Sequence, residues 1–303
     1  MSLSGKVFTL SNGNTIPAVA YGTGTKWFKL GRDEIDTNLV DTLKLALAKG
    51  FVHIDGAEIY NTDAEIGEAI SGKDRDSLFI TDKYFAGDSS YKARSSLGTP
   101  YDSLKFHLAN KLKTDYVDLY LLHAPFIKKE THGFDLKEAW QSLEKAVDDG
   151  LTKNIGVSNF SVDDLKEVLE VAKIKPVVNQ IEFNAYLQNQ TPGVVEFSQQ
   201  NGILVEAYSP LGPIVKGEPG EFTEYLDTLG SKYSKSASQV LLRWVIQKNV
   251  LPVTTSAKEE RIAQFVDLFD FELADEEVKK ITDLGAKHPV LRQYWTTEYA
   301  KYD

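Results

Sequence analysis

Val117-Asp118-Leu119-Tyr120-Leu121-Leu122-His123 is a strand-length apolar run that stops on an ionisable side chain, and the amphipathic stretch Leu136–Asp149 follows it. Similar runs recur along the chain. Phe51–Ile54 precedes Asp55 and Leu78–Thr81 precedes Lys83; then come Asn154–Val157, Val177–Ile181, Ile203–Ala207 and Val250–Val253. Helical patterns separate them, clearest over Asp33–Lys49, Ser161–Ala172 and Ser236–Gln247. Ser161, just ahead of Asp163 and Asp164, reads as a helix N-cap with acids in the first turn. Near-continuously apolar strands that alternate with helices build a parallel sheet covered on its faces. With Leu268–Phe271 as a short eighth strand, closure is favoured over an open sheet. The expected fold is therefore α/β, a (β/α)8 TIM barrel.

Outside the repeat, Asn12-Gly13 lies between Val7–Leu10 and Asn14–Ala20 and is the pair that favours a tight hairpin turn. An N-terminal β-hairpin over 7–20 is expected ahead of the barrel. No linker composition divides the chain, so residues 1–303 are expected to form one domain. Tyr84–Pro100 and Pro210–Phe222 read as long loops at the end of the barrel where active sites form. A tail over 285–303, aromatic from His288 onward, is expected to lie over the same mouth.

The 303 residues carry a formal charge of −10, which argues against nucleic acid or an anionic membrane as partner. There is no cysteine, and His53, His107, His123, His132 and His288 lack metal-site spacing, so no metal is expected. Met1–Lys6 has no apolar signal core and no run of 18 apolar residues occurs, which points to the cytoplasm. The expected partner is a small molecule, bound by a monomer or weak dimer.

Four side chains carry the chemistry. Asp55, Lys83 and His123 stand at the ends of successive strands, and alternation along each strand lets all three point inward at one end. Tyr60 follows Asp55 by five residues. Singly, each has a plain structural reading: a loop cap, a mouth-lining aromatic, a solvated lysine, a core histidine. Together they make an acid site. A phenol with a pKa of about 10 is a poor proton donor at neutral pH, and a neighbouring ammonium lowers that value. In this reading Tyr60 is the acid, Lys83 and Asp55 tune it, and His123 orients a carbonyl and supplies a second hydrogen bond.

These residues sit in segments that resemble the aldo-keto reductases. The similarity runs through Gly50-Phe51-Val52-His53-Ile54-Asp55 to Tyr60, Glu65-Ile66-Gly67-Glu68-Ala69-Ile70, Thr81-Asp82-Lys83 and Asp118–His123. It continues in Ile155-Gly156-Val157-Ser158-Asn159-Phe160, Val178-Asn179-Gln180-Ile181-Glu182 and Ala207-Tyr208-Ser209-Pro210-Leu211-Gly212, in the family's order and as far as about residue 285. The resemblance implies the same four catalytic roles, a hairpin closing the bottom of the barrel, and reduction of a ketone or aldehyde by NADPH. It also implies that Ser158, Asn159 and Gln180 hydrogen-bond a nicotinamide carboxamide, that Tyr208 stacks on its ring, that Gly24 and Thr25 lie near the cofactor, and that Ser209 and Leu211 touch the pyrophosphate.

No Gly-x-Gly-x-x-Gly fingerprint opens a helix in this chain, so NADPH/NADP+ must be held another way. Pro252-Val253-Thr254-Thr255-Ser256-Ala257-Lys258-Glu259-Glu260-Arg261 departs from the family's spacing between proline and arginine. Aligned back from Arg261, the hydroxyls of Thr255 and Ser256 with Lys258 and Arg261 form a candidate clamp for a 2′-phosphate at a helix N-terminus. Lys258 paired with neighbouring glutamates is the plainer alternative.

Trp27, Phe85, Phe126, Tyr294 and Trp295 are candidates for an apolar substrate pocket. The family's frequent tryptophan after the histidine is Ala124 here, which is expected to widen that pocket. Such a pocket suits a vicinal dicarbonyl or α-keto lactone better than a sugar, and the motif run is most similar to the conjugated polyketone (ketopantoyl lactone) reductases of yeasts. α-Ketoamides and aliphatic aldehydes are alternative substrates. Two other classes fit less well: a cofactor-binding regulatory barrel subunit, and a glycosidase-like hydrolase using Asp55 and Glu182.

Overall fold

The computed structural model of this chain describes residues 3–29 and 31–303. Strands β1 (Val7–Thr9) and β2 (Thr15–Pro17) pair antiparallel, with Phe8 opposite Ile16. Eight parallel strands then close a barrel: β3 (Ala20–Gly22), β4 (His53–Asp55), β5 (Phe79–Tyr84), β6 (Val117–Leu122), β7 (Thr152–Ser158), β8 (Val178–Glu182), β9 (Leu204–Tyr208) and β10 (Val250–Thr254). Each strand hydrogen-bonds its neighbour in chain order, and β10 closes onto β3.

The hairpin seals the barrel's N-terminal end. Leu10 and Ile16 share a buried cluster with Phe79, Val177, Leu204 and Leu251, which stand at or near the starts of their strands. The Asn12 and Asn14 side-chain amides both donate to Asn154 Oδ1, at 2.8 and 2.9 Å. A larger apolar cluster fills the layer between the strands and the outer helices, among them Thr37–Lys49, Leu136–Asp148, Val162–Leu169 and Ala237–Gln247. Ser161 caps its helix in a capping box with Asp164, as its sequence context suggests.

The eighth strand is not where the sequence placed it. Leu268–Phe271 is a loop: Arg243 donates to Leu268 O, and Gln239 donates to Asp267 O just ahead of it. The missing strand is β3, hidden in what read as the second arm of the hairpin. Pro17 ends β2, and after two residues the buried Ala20 and Tyr21 begin the barrel. The stretch 85–99 holds no helix or strand, whereas Pro210–Phe222 contains a short helix, Gly212–Val215, and the start of the helix Glu221–Tyr233. In the tail, Thr296–Tyr299 is helical, and the buried Tyr299 donates its hydroxyl to Asn159 O at 2.6 Å. No helix among the described residues is long and apolar enough to cross a membrane.

The helix Asp275–Lys287 packs against the turn after β8 through Gly285, where an added Cβ would lie 2.2 Å from Ala185 O. Glycine in a helix interior ordinarily costs about 1 kcal/mol relative to alanine; here the close approach reverses the sign. Gly285→Ala should destabilise the fold by about 1–3 kcal/mol in chemical denaturation. Unchanged or raised stability would show that the helix does not sit this close.

Candidate active site

Asp55 ends β4, Lys83 is the penultimate residue of β5, and His123 follows β6 directly. Alternation turns the Lys83 side chain inward, because Asp82 and Tyr84 on either side take the opposite face. Lys83 Nζ donates to Asp55 Oδ1 at 2.6 Å and to Gly56 O at 2.8 Å, with both residues buried. Tyr60 ends the 3-10 turn Glu58–Tyr60 and brings its ring to 5.1 Å, centroid to Lys83 Nζ. The Tyr60 hydroxyl and His123 Nε2 lie 3.5 Å apart. Gly24 makes room for this ring, since a Cβ there would lie 2.9 Å from Tyr60 Cζ. All four expected residues therefore meet at the C-terminal mouth.

Burial works against the Lys83 ammonium, but the carboxylate of Asp55 and the phenol of Tyr60 outweigh it and raise its pKa. Lysine thus stays charged. Burial, and secondarily the Lys83 charge, holds His123 well below the usual imidazole value, so its ring is neutral at pH 7. For Tyr60 the net direction departs from expectation. Loss of solvent pushes the phenol above 10, and Lys83 only opposes that rise. The ammonium acts in the expected direction; desolvation of the tyrosinate is larger.

A second connected group adjoins the first. Gln180 Nε2 donates to Asp55 Oδ2 at 2.8 Å and to Glu206 Oε2 at 2.6 Å. Ser158 Oγ donates to Gln180 O, and Asn159 Nδ2 donates to Ser158 Oγ and to His123 O. Asn159 Oδ1 accepts from Tyr208 OH and Gln190 Nε2. Ser158, Asn159, Gln180 and Tyr208 thus form one polar patch whose donors are paired internally, while Gln180 Oε1 takes no bond among the described residues. Thr25, Asn159 and Ser209 hold positive φ angles of 46°, 61° and 55° just beyond strand ends, a conformation non-glycine residues keep only where the surroundings enforce it.

At the rim, Trp27 Nε1 donates to Thr255 Oγ1 at 3.2 Å, and Ser256 Oγ accepts from Lys258 N. Leu211 directly precedes the short helix Gly212–Val215 and is half-buried. Lys258 and Arg261 are exposed and enter no ion pair among the described residues, while Glu259 pairs with Lys49. Lys258 therefore does not pair with its neighbouring glutamates. Phe126 packs on Trp295 at 5.5 Å and Tyr208 on Tyr294 at 5.7 Å between ring centroids, so the tail reaches the mouth. Phe85 is half-buried, with its N–H on Glu58. Ala124 corrects the expectation of a wider pocket: it is fully buried in the apolar core and presents no surface to the mouth.

Asp55 and Glu182 do not form a facing carboxylate pair for hydrolysis. Asp55 is held by Lys83 and Gln180, whereas Glu182 accepts the backbone N–H groups of Gln293 and Tyr294 and so anchors the tail. One acid–imidazole group lies elsewhere. Asp63, Asp82 and His107 come close enough to share an ion, and His107 Nδ1 is hydrogen-bonded to Asp63 Oδ2. The histidine's pKa is raised to about 9 because Asp63 overcomes burial, so an imidazolium already balances this cluster. Sequence reasoning gave no role to Glu206, Gln190 or Tyr299 and missed that of Glu182. An acid inside the apolar run Leu204-Val205-Glu206-Ala207 was a legible signal of the kind that marked Asp55; Gln190, on a loop, carried none.

The sequence profile of the aldo/keto reductase family matches residues 20–286. An NADPH-dependent alpha-keto amide reductase of Saccharomyces cerevisiae is 50% identical, over 100% of this chain and 98% of its own. An NAD/NADP-dependent indole-3-acetaldehyde reductase of Schizosaccharomyces pombe is 40% identical over 91% and 94%. A Bombyx mori aldo-keto reductase solved in complex with NADP superimposes with a TM-score of 0.80 at 32% identity, covering 97% of each chain. With the barrel and the four assembled side chains, these likenesses establish that the chain belongs to the aldo/keto reductase family.

Proposed function

We propose that this chain is an NADPH-dependent carbonyl reductase in which Tyr60 protonates the substrate oxygen. The carrying observation is the buried Lys83–Asp55 pair beside the Tyr60 phenol, with His123 Nε2 3.5 Å from the hydroxyl. An oxygen placed against both groups would accept from the phenol and from the neutral imidazole. Lys83 stabilises the tyrosinate left behind, and Asp55 keeps the lysine charged and fixed. When bound, the reduced nicotinamide supplies the hydride that completes the reduction at carbon.

The residues suit such a cofactor. Gln180 Oε1 accepts no hydrogen bond among the described residues, while Ser158 and Asn159 offer further amide-complementary groups beside it. Contacts between a carboxamide and Ser158 or Asn159 would replace some of their present internal bonds. Tyr208 lies at the same patch for stacking, with Gly24, Thr25, Ser209 and Leu211 along the route outward. Lys258 and Arg261, next to Thr255 and Ser256 and in no ion pair among the described residues, would take a 2′-phosphate. This favours NADPH over NADH, in keeping with the cofactor in the name of the relative from Saccharomyces cerevisiae.

For substrate we infer a carbonyl activated by a second carbonyl next to it, as in α-keto lactones, vicinal diketones and α-keto amides. The aromatic rim of Trp27, Phe126, Tyr294 and Trp295 offers few hydrogen-bond partners for a sugar, and the α-keto amide named for the 50% identical relative is of this class. Purified protein mixed with NADPH should turn over such dicarbonyls faster than sugars, read as loss of nicotinamide absorbance. The reverse order would overturn the substrate assignment.

Tyr60→Phe should lower kcat by about 10²–10⁴-fold, the usual worth of a positioned acid, and leave the NADPH dissociation constant near that of the parent. Substantial remaining turnover would remove Tyr60 from its role. Arg261→Ala should weaken NADPH by about tenfold to a hundredfold, a charged hydrogen bond's worth, with NADH nearly unchanged. Equal losses for both cofactors would refute the clamp.

A further inference from the structure

Glu206 is fully buried in the middle of β9, and the register sets it directly beside Gln180 of β8. Gln180 Nε2 has two hydrogens. One goes to Asp55 Oδ2 at 2.8 Å and the other to Glu206 Oε2 at 2.6 Å. An amide whose nitrogen is gripped from two sides has only one orientation left, with Oε1 turned away from both acids.

We propose that Glu206 is a positioning residue for the cofactor: with Asp55 it clamps the Gln180 amide so that an acceptor, not a donor, is offered to the nicotinamide carboxamide. The proposal rests on the reductase reading above. Its logic is complementarity. By exchanging one of their present internal bonds, Ser158 Oγ and Asn159 Nδ2 can donate to the carbonyl of a carboxamide, which leaves the carboxamide NH2 for Gln180. A flipped Gln180 would set NH2 against NH2 and lose that bond. Asp55 alone cannot enforce the orientation without leaving the second Gln180 N–H buried and unpaired.

The state of Glu206 suits this task. Its Oε1 is buried with no hydrogen-bond partner among the described residues, an arrangement costly for a carboxylate and tolerable for a neutral acid. Burial, and then the charge of Asp55, push its pKa up to about 8, against the bond from Gln180 and the weaker opposing effect of the Lys83 charge. A neutral Glu206 accepts from Gln180 without competing with Asp55 for the Lys83 ammonium. The groups that act on it are thus Asp55, Lys83 and Gln180, from the strands β4, β5 and β8.

Two variants separate acceptor from charge. Glu206→Gln keeps an oxygen facing Gln180 and cannot ionise; Glu206→Met removes the acceptor at similar length. NADPH titrations followed by tryptophan fluorescence should give a dissociation constant close to wild type for Glu206→Gln, and about five- to tenfold weaker for Glu206→Met, a lost hydrogen bond's worth. In cofactor-free protein, both side-chain amide hydrogens of Gln180, assigned by their absence in Gln180→Met, should exchange slowly in wild type and in Glu206→Gln. One should become fast in Glu206→Met. Equal weakening in both variants, or Gln180 hydrogens indifferent to residue 206, would overturn the clamp even while Tyr60→Phe still abolished turnover. Failure of wild-type protein to bind NADPH would instead sink the reductase reading and the clamp with it. Should Glu206→Met not fold, the Glu206→Gln variant decides alone: weakened NADPH or a freed Gln180 amide there contradicts the proposal.

Discussion

A lysine ammonium sealed inside a barrel is the constraint on which the rest of this site depends. Removing two charges from water costs several kcal/mol per ion, and the attraction between them repays it only when geometry is good and the remaining valences are filled. Lys83 meets that condition through Asp55 and the Gly56 carbonyl, and Asp55 meets it through Lys83 and the Gln180 amide. Asp55, Lys83 and Gln180 come from three different strands, so the ion pair and its hydrogen bonds exist only when the barrel is closed in register. Stability here is invested in chemistry: an apolar pair would pack as well and would do nothing to a neighbouring phenol.

The barrel supplies what the ion pair needs. Parallel strands end together at one rim, so side chains from β4, β5, β8 and β9 converge although they are far apart in sequence. The hairpin closes the opposite end with apolar residues and two asparagines, which leaves one mouth. The tail then partly covers that mouth. Glu182 holds its backbone at Gln293 and Tyr294, and Tyr299 ties it to Asn159. The tail is therefore linked by a hydrogen bond to Asn159, one of the residues proposed for the cofactor.

Much of this was legible because ionisable groups at the ends of apolar strands are expensive and so informative. Asp55, Lys83 and His123 stood out for that reason, and the structure brings them together with Tyr60. What was not legible followed from weaker local signals. Strand β3 is three residues long and continues an apolar stretch begun by the hairpin, so periodicity alone did not divide them at Pro17. Leu268–Phe271 has strand-like composition, but Arg243 of a distant helix holds the Leu268 carbonyl and Gln239 that of Asp267 beside it. Ala124 stands where the family often has tryptophan, and its complete burial is not visible in the sequence. The upward displacement of the Tyr60 phenol was missed because a lysine nearby is readable from spacing, whereas the depth of burial is not.

The central claim is that the Lys83 ammonium holds the Tyr60 phenol more acidic than its dry surroundings would otherwise allow. It is tested most directly by titrating the Tyr60 ring, labelled at Cζ and followed by carbon NMR, in wild type and in Lys83→Met, with Tyr60→Phe identifying the resonance. The account requires the phenol to ionise at distinctly higher pH once the ammonium is gone. A midpoint that stays in place, or moves down, would contradict it.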